Sequence, residues 1–351
     1  MEAGSRRRWW HWPGIFLMVL VGFLLSAWGT AALWFDFPRQ SWKLPLIALY
    51  LVSMVIGLRL VHRSWQRFAV VAAGFVIVLS WWLSLKPSND RNWQADVAQT
   101  PWSETQGNSV TIHNIRDCDY RAEFDYTCRW ETRTVDVSRI QGMDLFITYW
   151  GSPWIAHPIV SFEIDGEKPV AMSIETRKEV GESYSAIRGF FRYYELIYVI
   201  STERDVIRLR TNYRKGEDVY LFHTKASRQL AQAVFRDYLR SASTLHNRPE
   251  WYNAATDNCT TNVALHVRRA EHGVLPWDWR ILLNGKSDEM LYQEGYLAGD
   301  LPFAKLKKAA LINPAARVAN DDPDFWVRIR QGRPGFSTVS TVSAGSSSTG
   351  Y

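Results

Sequence analysis

Residues 157–176 read HPIVSFEIDGEKPVAMSIET. Apolar and polar side chains alternate on both sides of Asp165-Gly166, a dipeptide typical of a tight turn between two strands. The pattern predicts a β-hairpin with His157 at the start of its first strand. The residue beside the His157 ring depends on the register: Glu175 fits a loop of three residues, Thr176 fits a loop of four, and Ser173 is a third candidate.

Strands come first in the globular region and helices come later. Short alternating runs continue from residue 108 to residue 223, the last two being Val206–Arg210 and Val219–His223. They predict an antiparallel sheet. Helical spacing of apolar residues then predicts helices over Ser227–Ala242, from about Cys259 to Glu271, and over Asp288–Gly295. This order favours an α+β domain with segregated helices.

Three apolar runs precede the globular region, and each is long enough for an α-helix to cross a bilayer. They are Trp12–Trp34, Leu44–Val61 and Phe68–Leu85. We therefore expect a membrane anchor over residues 1–86, a polar linker over 87–107, a catalytic-type domain over 108–320 and a disordered Ser/Thr/Gly-rich tail over 332–351.

Charge is divided unevenly along the chain. Residues 1–86 hold nine basic and two acidic side chains, whereas the remainder holds 32 basic and 33 acidic ones. The basic residues concentrate before the first apolar run and between the second and third. The positive-inside rule therefore predicts a multi-pass membrane protein with a cytoplasmic N-terminus and a domain on the far side of the membrane. In a bacterium, these would be the inner membrane and the periplasm. The nearly neutral domain gives no reason to expect a nucleic-acid partner.

The three cysteines predict one candidate nucleophile. Cys118 and Cys128 are ten residues apart in a strand-rich stretch and could form a disulfide across a hairpin, which leaves Cys259 as a free thiol. Thr256, Asp257 and Asn258 are all good N-cap residues, so Cys259 should open a helix. A helix start favours a thiolate and offers backbone N–H groups to an oxyanion, with Asn258 and Thr260 as supporting residues. A thiol nucleophile also needs a base, and His157 is the candidate.

The order of these features resembles the circularly permuted papain-like fold of the lecithin:retinol acyltransferase type, in which a histidine-bearing hairpin precedes an Asn-Cys helix start. More closely, residues 108–315 resemble the Lnb N-terminal periplasmic domain family, which is named after lipoprotein N-acyltransferases. Six stretches carry this resemblance in order: Val110–Asn114, Tyr149–Gly151, Ile155–His157, Ser173–Arg177, Asn258–Asn262 and Pro276–Arg280.

The resemblance implies that Cys259 accepts an acyl chain and that His157 is its base. Glu175 is our candidate for the third catalytic residue, with Thr176 and Ser173 left open. It also implies a lipid or lipoprotein substrate at the membrane. A cysteine peptidase or amidase and a non-catalytic, membrane-tethered binding module are the alternatives. We expect no cofactor and no metal site, because the sequence has no zinc-ligand spacing, Gly-rich phosphate loop or dinucleotide fingerprint. The sequence does not predict an oligomeric state.

Overall fold

The chain forms two compact units in a computed structural model that describes residues 11–271, 278–281 and 283–336. The anchor unit comprises residues 1–88, 183–195 and 251–254. The sheet unit comprises residues 89–182, 196–250 and 255–351.

The anchor unit is built on three helices that are long and apolar enough to cross a membrane. Most of their surface is apolar and exposed, whereas Tyr50 and Met54 lie buried among them. The Met54 side chain packs over Gly74: a Cβ atom there would come within 2.6 Å of the Met54 Cε, so the end of this flexible side chain would have to move. The helices are α1 (His11–Asp36), α2 (Gln40–Leu60) and α3 (Ser64–Ser84).

The sheet unit is organised around one eight-stranded sheet. Its strands are β1 (Trp102–Gln106), β2 (Ser109–Ala122), β3 (Asp125–Asp136), β4 (Ile140–Trp150), β5 (Ala156–Ile164), β6 (Val170–Arg177), β7 (Glu195–Ser201) and β8 (Glu217–His223). The order is β1-β2-β7-β6-β5-β4-β8, and β3 pairs with β2 outside this path. The β2–β7 pair is parallel, and the β1–β2, β2–β3, β4–β5, β5–β6 and β4–β8 pairs are antiparallel.

Helices cover both faces of the sheet. They are α4 (Glu203–Arg208), which continues as a π-helix (Leu209–Tyr213), then α5 (Arg228–Asn247), α6 (Cys259–Glu271), α7 (Ser287–Gln293), α8 (Phe303–Ala310), α9 (Asn313–Val318) and α10 (Phe325–Arg328). On one face Phe146 and Ile159 pack with Val206 and Phe325. On the other, Phe162 of β5 packs edge-on against Phe235 of α5 at 5.0 Å between ring centroids. Strand alternation accounts for this two-sided burial.

The predicted fold class is confirmed: three long apolar helices precede an α+β domain with a mostly antiparallel sheet. Three details differ. Val206–Arg210 is not a strand but belongs to α4 and the π-helix. The stretch predicted as a linker contains a 3₁₀ turn (Ala95–Val97) and β1. The third predicted helix runs over Ser287–Gln293. Residues 337–351 of the predicted tail lie outside the described residues.

Candidate functional site

A chain of hydrogen bonds begins at the His157 ring. His157 lies at the start of β5, and the pairing of Ile159 with Ser173 brings β6 alongside it. The His157 Nε2 and the Ser173 Oγ are 2.7 Å apart, and the Ser173 hydroxyl donates to the Glu175 Oε1 at 2.7 Å. Because the hydroxyl has one proton and gives it to the carboxylate, its oxygen must accept from Nε2–H. Nδ1 of a neutral His157 therefore carries the lone pair that a base needs.

Burial and charge keep the His157 ring neutral. Burial disfavours the imidazolium and lowers the pKa of His157 to about 3; the positive charge of Arg210 acts in the same direction, and Glu175 opposes both. A neutral ring at pH 7 can accept a proton but does not hold one in advance.

Glu175 is ionised because of a neighbour that the sequence did not reveal. Burial is the largest single effect and favours the neutral acid, but Arg210 and the other positive charges nearby together outweigh it and hold the pKa of Glu175 well below its usual range. The Arg210 Nη2 lies 3.1 Å from the Glu175 Oε1, and its Nη1 lies 3.4 Å from the Glu217 Oε2. Arg210 projects from the π-helix, a distortion often found at functional sites. Its segment was predicted as a strand, which gave no reason to place Arg210 here.

Helix α6 begins at Cys259, as the N-cap pattern predicts. The Asn258 Oδ1 accepts hydrogen bonds from the backbone N–H groups of Thr260 and Thr261 at 2.9 and 3.0 Å. The Thr261 Oγ1 accepts from the Asn258 N–H at 3.0 Å, which completes a reciprocal cap. The cap therefore fixes the backbone on both sides of the thiol.

The Cys259 thiol is not activated at rest. Burial raises the pKa of Cys259 to about 11, and hydrogen bonding to Thr260 and to the backbone offsets only part of this effect. The expectation of a lowered pKa at the helix start is therefore wrong. The expectation considered the helix dipole alone, whereas the side chain is 8% exposed and loses most of its hydration.

Asn284 links the two predicted catalytic residues. Its Nδ2 donates to the Thr260 Oγ1 at 2.8 Å and lies 3.9 Å from the Cys259 Sγ. Its Oδ1 accepts from the Ala156 N–H at 2.8 Å, one residue before His157. The helix start and the start of β5 thus meet at one carboxamide. Asn284 lies in a 3₁₀ turn beyond the predicted motifs, and no sequence signal identified it.

Cys259 and His157 are not in direct contact. Within the described part of the chain, no hydrogen bond joins the Cys259 Sγ to either ring nitrogen of His157. By strand alternation His157 projects from the same face as Ile159. Pro158 and Val160 on the opposite face line the space next to α6. The remaining candidate, Thr176, is buried but makes no hydrogen bond to His157 among the described residues.

An apolar cavity of about 210 Å³ lies between the sheet and helices α5, α6 and α7. Thr260 lines it together with Val263 and Val267 of α6, Pro158 and Val160 of β5, and Leu230, Val234 and Met290. The residue that follows the thiol therefore contributes to the wall of a space that suits a hydrocarbon group.

A second polar cluster lies on β4, β5 and β8. One ligand atom each from Asp144, Glu163 and His223 lies within 4.8 Å of the others, so the three could hold a cation. Sequence spacing gave no sign of them, because they come from three strands. The Asp144 Oδ1 already bonds the His223 Nδ1 at 2.7 Å, and its Oδ2 accepts from Arg330 at 2.7 and 2.9 Å. Burial, followed by the charge of Asp144, raises the pKa of Glu163 to about 7. A proton on Glu163 can therefore reduce the negative charge of this cluster in place of a cation.

The other two cysteines lie apart from these clusters. Cys118 and Cys128 are directly opposite one another on β2 and β3 and form a disulfide, with their Cα atoms 3.9 Å apart. Cys259 is free.

Comparison with known proteins agrees with this architecture. No curated protein and no solved structure matches the chain. Residues 126–285 match the family model described as the Lnb N-terminal periplasmic domain, a narrower range than the resemblance over residues 108–315. The matched range contains His157, Ser173, Glu175, Cys259 and Asn284. The protein is thus a membrane protein whose residues 126–285 are similar to the Lnb N-terminal periplasmic domain family, with three apolar helices preceding that range.

Proposed function

We propose that the protein catalyses thiol-dependent acyl transfer on a lipid or lipoprotein, with Cys259 as nucleophile and His157 as base. The observation that carries the proposal is the His157–Ser173–Glu175 chain, which directs the Nε2 proton away and leaves Nδ1 as the basic nitrogen. Asn284 supports the assignment of Cys259 and His157 to one site. Its side chain contacts the Cys259 Sγ and also the backbone N–H of Ala156, the residue before His157.

Cys259 and His157 are both neutral at rest, so the thiol proton must move to the ring as the sulfur attacks. His157 Nδ1 takes the thiol proton while the Cys259 Sγ bonds to the carbonyl carbon of an ester. The C–O bond then breaks, and the imidazolium returns the proton to the leaving alcohol. An amine next attacks the thioester, gives its proton to His157, and releases Cys259, which recovers the proton as a thiol. The backbone N–H of Cys259, with Asn258 and Thr260 in support, would stabilise the oxyanions.

This mechanism requires the start of β5 to rearrange, because His157 projects from the face of the sheet opposite to the one next to α6. Because no hydrogen bond joins the thiol and the ring at rest, substrate binding has to bring the Cys259 Sγ and the His157 Nδ1 together. Catalytic hydrogen bonds are often long or unformed until substrate is bound.

An acyl substrate suits the surroundings of the thiol. The apolar cavity lined by Thr260 fits part of a hydrocarbon chain. The membrane helices tether the domain to a bilayer, which raises the effective concentration of a membrane-bound substrate. We further propose that the membrane is a bacterial inner membrane, with the N-terminus cytoplasmic and the domain periplasmic. The basic residues between α2 and α3 support this orientation.

The test uses the full chain in nanodiscs with a fluorescent diacyl phospholipid and a lipopeptide that has a free amino terminus. We expect an acyl group on the wild-type protein that hydroxylamine removes, and its loss in Cys259→Ser. His157→Gln should abolish acylation, whereas His246→Gln, at a histidine that hydrogen-bonds Thr100, should not. Retained acylation in Cys259→Ser would exclude the assigned nucleophile.

The same preparation separates the alternatives. Cleavage of soluble peptides without acyl transfer would favour a cysteine peptidase or amidase. If neither reaction depends on Cys259, the remaining alternative is a membrane-tethered binding module.

A further inference from the structure

Residues 183–194 of the anchor unit pack against the membrane helices. The side chain of Phe191 is buried in the helix cluster, and its ring lies 5.1 Å from the Phe35 ring and 6.3 Å from the Trp28 ring, centroid to centroid. The segment is therefore an integral part of the anchor rather than a surface loop.

Arg192 fixes the level of this segment along the helices. Its backbone N–H donates to the Asp36 Oδ2 at 3.1 Å, at the last residue of α1. Its Nη1 donates to the carbonyls of Trp82, Leu83 and Leu85 at 3.0, 2.9 and 2.8 Å, where α3 ends. These carbonyls lie at the C-terminal end of α3, where a cation can bind the last backbone acceptors of a helix. The segment thus lies where α1 and α3 reach the boundary of the hydrocarbon.

Two apolar side chains project from the segment at this level. Ile187 is 63% exposed and Phe190 is 53% exposed, on either side of Arg188 and Gly189. Aromatic and aliphatic side chains at the end of a membrane helix are typical of the lipid interface, where they bury against acyl chains and headgroups.

The same surface is basic. Residues 183–194 contain two arginines and no acidic residue. The Arg188 Nη1 donates to the Tyr193 hydroxyl at 3.1 Å, and its guanidinium carbon lies 4.7 Å from the centre of the Tyr193 ring. These contacts hold the cation next to Ile187, and a planar guanidinium can bind a phosphate through two parallel N–H groups. Asp36 is engaged by the Trp82 Nε1 at 2.6 Å and by the Arg192 N–H.

We propose that residues 183–194 bind phospholipid in the leaflet next to the ends of α1 and α3. Ile187 and Phe190 enter the boundary between headgroups and acyl chains, and Arg188 binds a lipid phosphate. The continuity of this surface with three membrane-spanning helices identifies the partner as lipid. The proposal is independent of the chemistry at Cys259.

The apolar part is tested with an environment-sensitive fluorophore on single cysteines. Ile187→Cys and Phe190→Cys are introduced into full-length Cys259→Ser protein, labelled, and placed in phosphatidylcholine nanodiscs. We expect a blue-shifted emission and quenching by lipids brominated near the headgroup. Ile77→Cys, on the exposed side of α3, should be quenched by lipids brominated deep in the chain. Emission at 187 and 190 equal to that of the glutathione adduct in water would overturn the proposal.

The phosphate contact is tested by the lipid that stays with the protein. In nanodiscs of phosphatidylcholine and phosphatidylglycerol, Arg188→Gln should lower the retained phosphatidylglycerol about fivefold, the effect of one basic side chain at an anionic surface. Arg188→Lys should retain it. Arg129→Gln, which removes an exposed charge of the sheet unit, is the matched control and should have no effect. An equal loss in Arg129→Gln, or no loss in Arg188→Gln, would rule out a specific phosphate site.

Discussion

At the scale of single residues, the protonation state of Cys259 makes a direct prediction. Burial raises the pKa of this thiol to about 11, so alkylation of the folded protein should accelerate past pH 9, the ordinary value, without a plateau. Protein denatured in detergent should approach its maximal rate near the ordinary value. Iodoacetamide labelling followed by mass spectrometry measures both rates. A plateau in the folded protein below pH 8 would mean that the helix start stabilises the thiolate.

His157 links stability to pH. Its pKa is about 3 in the folded state and 6.5 ordinarily, so the unfolded chain binds a proton that the folded chain does not in the interval between these values. The neutral ring therefore contributes to the free energy of unfolding in full above pH 6.5, and this contribution is lost as the pH falls toward 3. His157→Gln should therefore flatten the decline of the melting temperature over this interval. His246→Gln serves as the control; an unchanged slope in His157→Gln would show that His157 titrates normally.

The contacts of His157 show how much of the site could be predicted from the sequence at the scale of residues. Alternation around Asp165-Gly166 predicted the hairpin and left Ser173, Glu175 and Thr176 as candidate partners. The pairing of Ile159 with Ser173 brings both Ser173 and Glu175 into one chain of bonds. Register depends on the turn geometry, which the alternation of side chains does not specify.

At the scale of elements, the π-helix holds the cation on which Glu175 depends. Arg210→Gln removes the partner of two largely buried carboxylates, so it should destabilise the sheet unit by about 3 kcal/mol, the lower end of the range for a buried pair. Burial would then raise the pKa of Glu175 without opposition from this charge. Denaturant unfolding followed by tryptophan fluorescence measures the loss.

Arg214→Gln is the matched control in the same region. Its guanidinium is more exposed and lies 3.4 Å from the Glu217 Oε1, so its loss should cost at most about 1 kcal/mol. Equal losses in the two variants would mean that Arg210 has no special role in supporting Glu175.

Elements were predictable where local chemistry is decisive. Asn258 predicted the start of α6, because a cap is a property of a few adjacent residues. The stretch from Val206 to Arg210 did not reveal its helix, because buried helices are apolar on several sides and resemble short strands. The Thr202 side chain accepts a hydrogen bond from the Asp205 N–H and caps this helix, a local signal that could have corrected the assignment.

At the scale of the whole molecule, the charge pattern predicts which side of the membrane each part faces. Alkaline phosphatase fused after residue 107 should be active, and fused after Arg63, between α2 and α3, it should be inactive. The Cys118–Cys128 disulfide suits an oxidising compartment. Phosphatase activity in intact cells measures the orientation, with a fluorescent-protein fusion at each position as the control. The reverse pattern would invert the assigned topology.

Sequence was informative about the three spans and the α+β domain, because hydropathy and alternation are summed over many residues. It could not assign residues 183–195 to the anchor unit. That grouping depends on Phe191 and Arg192 meeting helices more than a hundred residues earlier in the chain, and nothing in the local pattern encodes such contacts.

Arg330 has a consequence for where the chain can be trimmed. Its guanidinium bonds Asp144 at 2.7 and 2.9 Å and Glu203 at 2.6 and 2.7 Å, and all three side chains are buried. Protein cut to the matched range, ending at residue 285, would keep both carboxylates and lose their cation. The range that matches the family model, residues 126–285, is therefore too short to fold with this cluster intact. A fragment of the sheet unit should extend at least to Phe336.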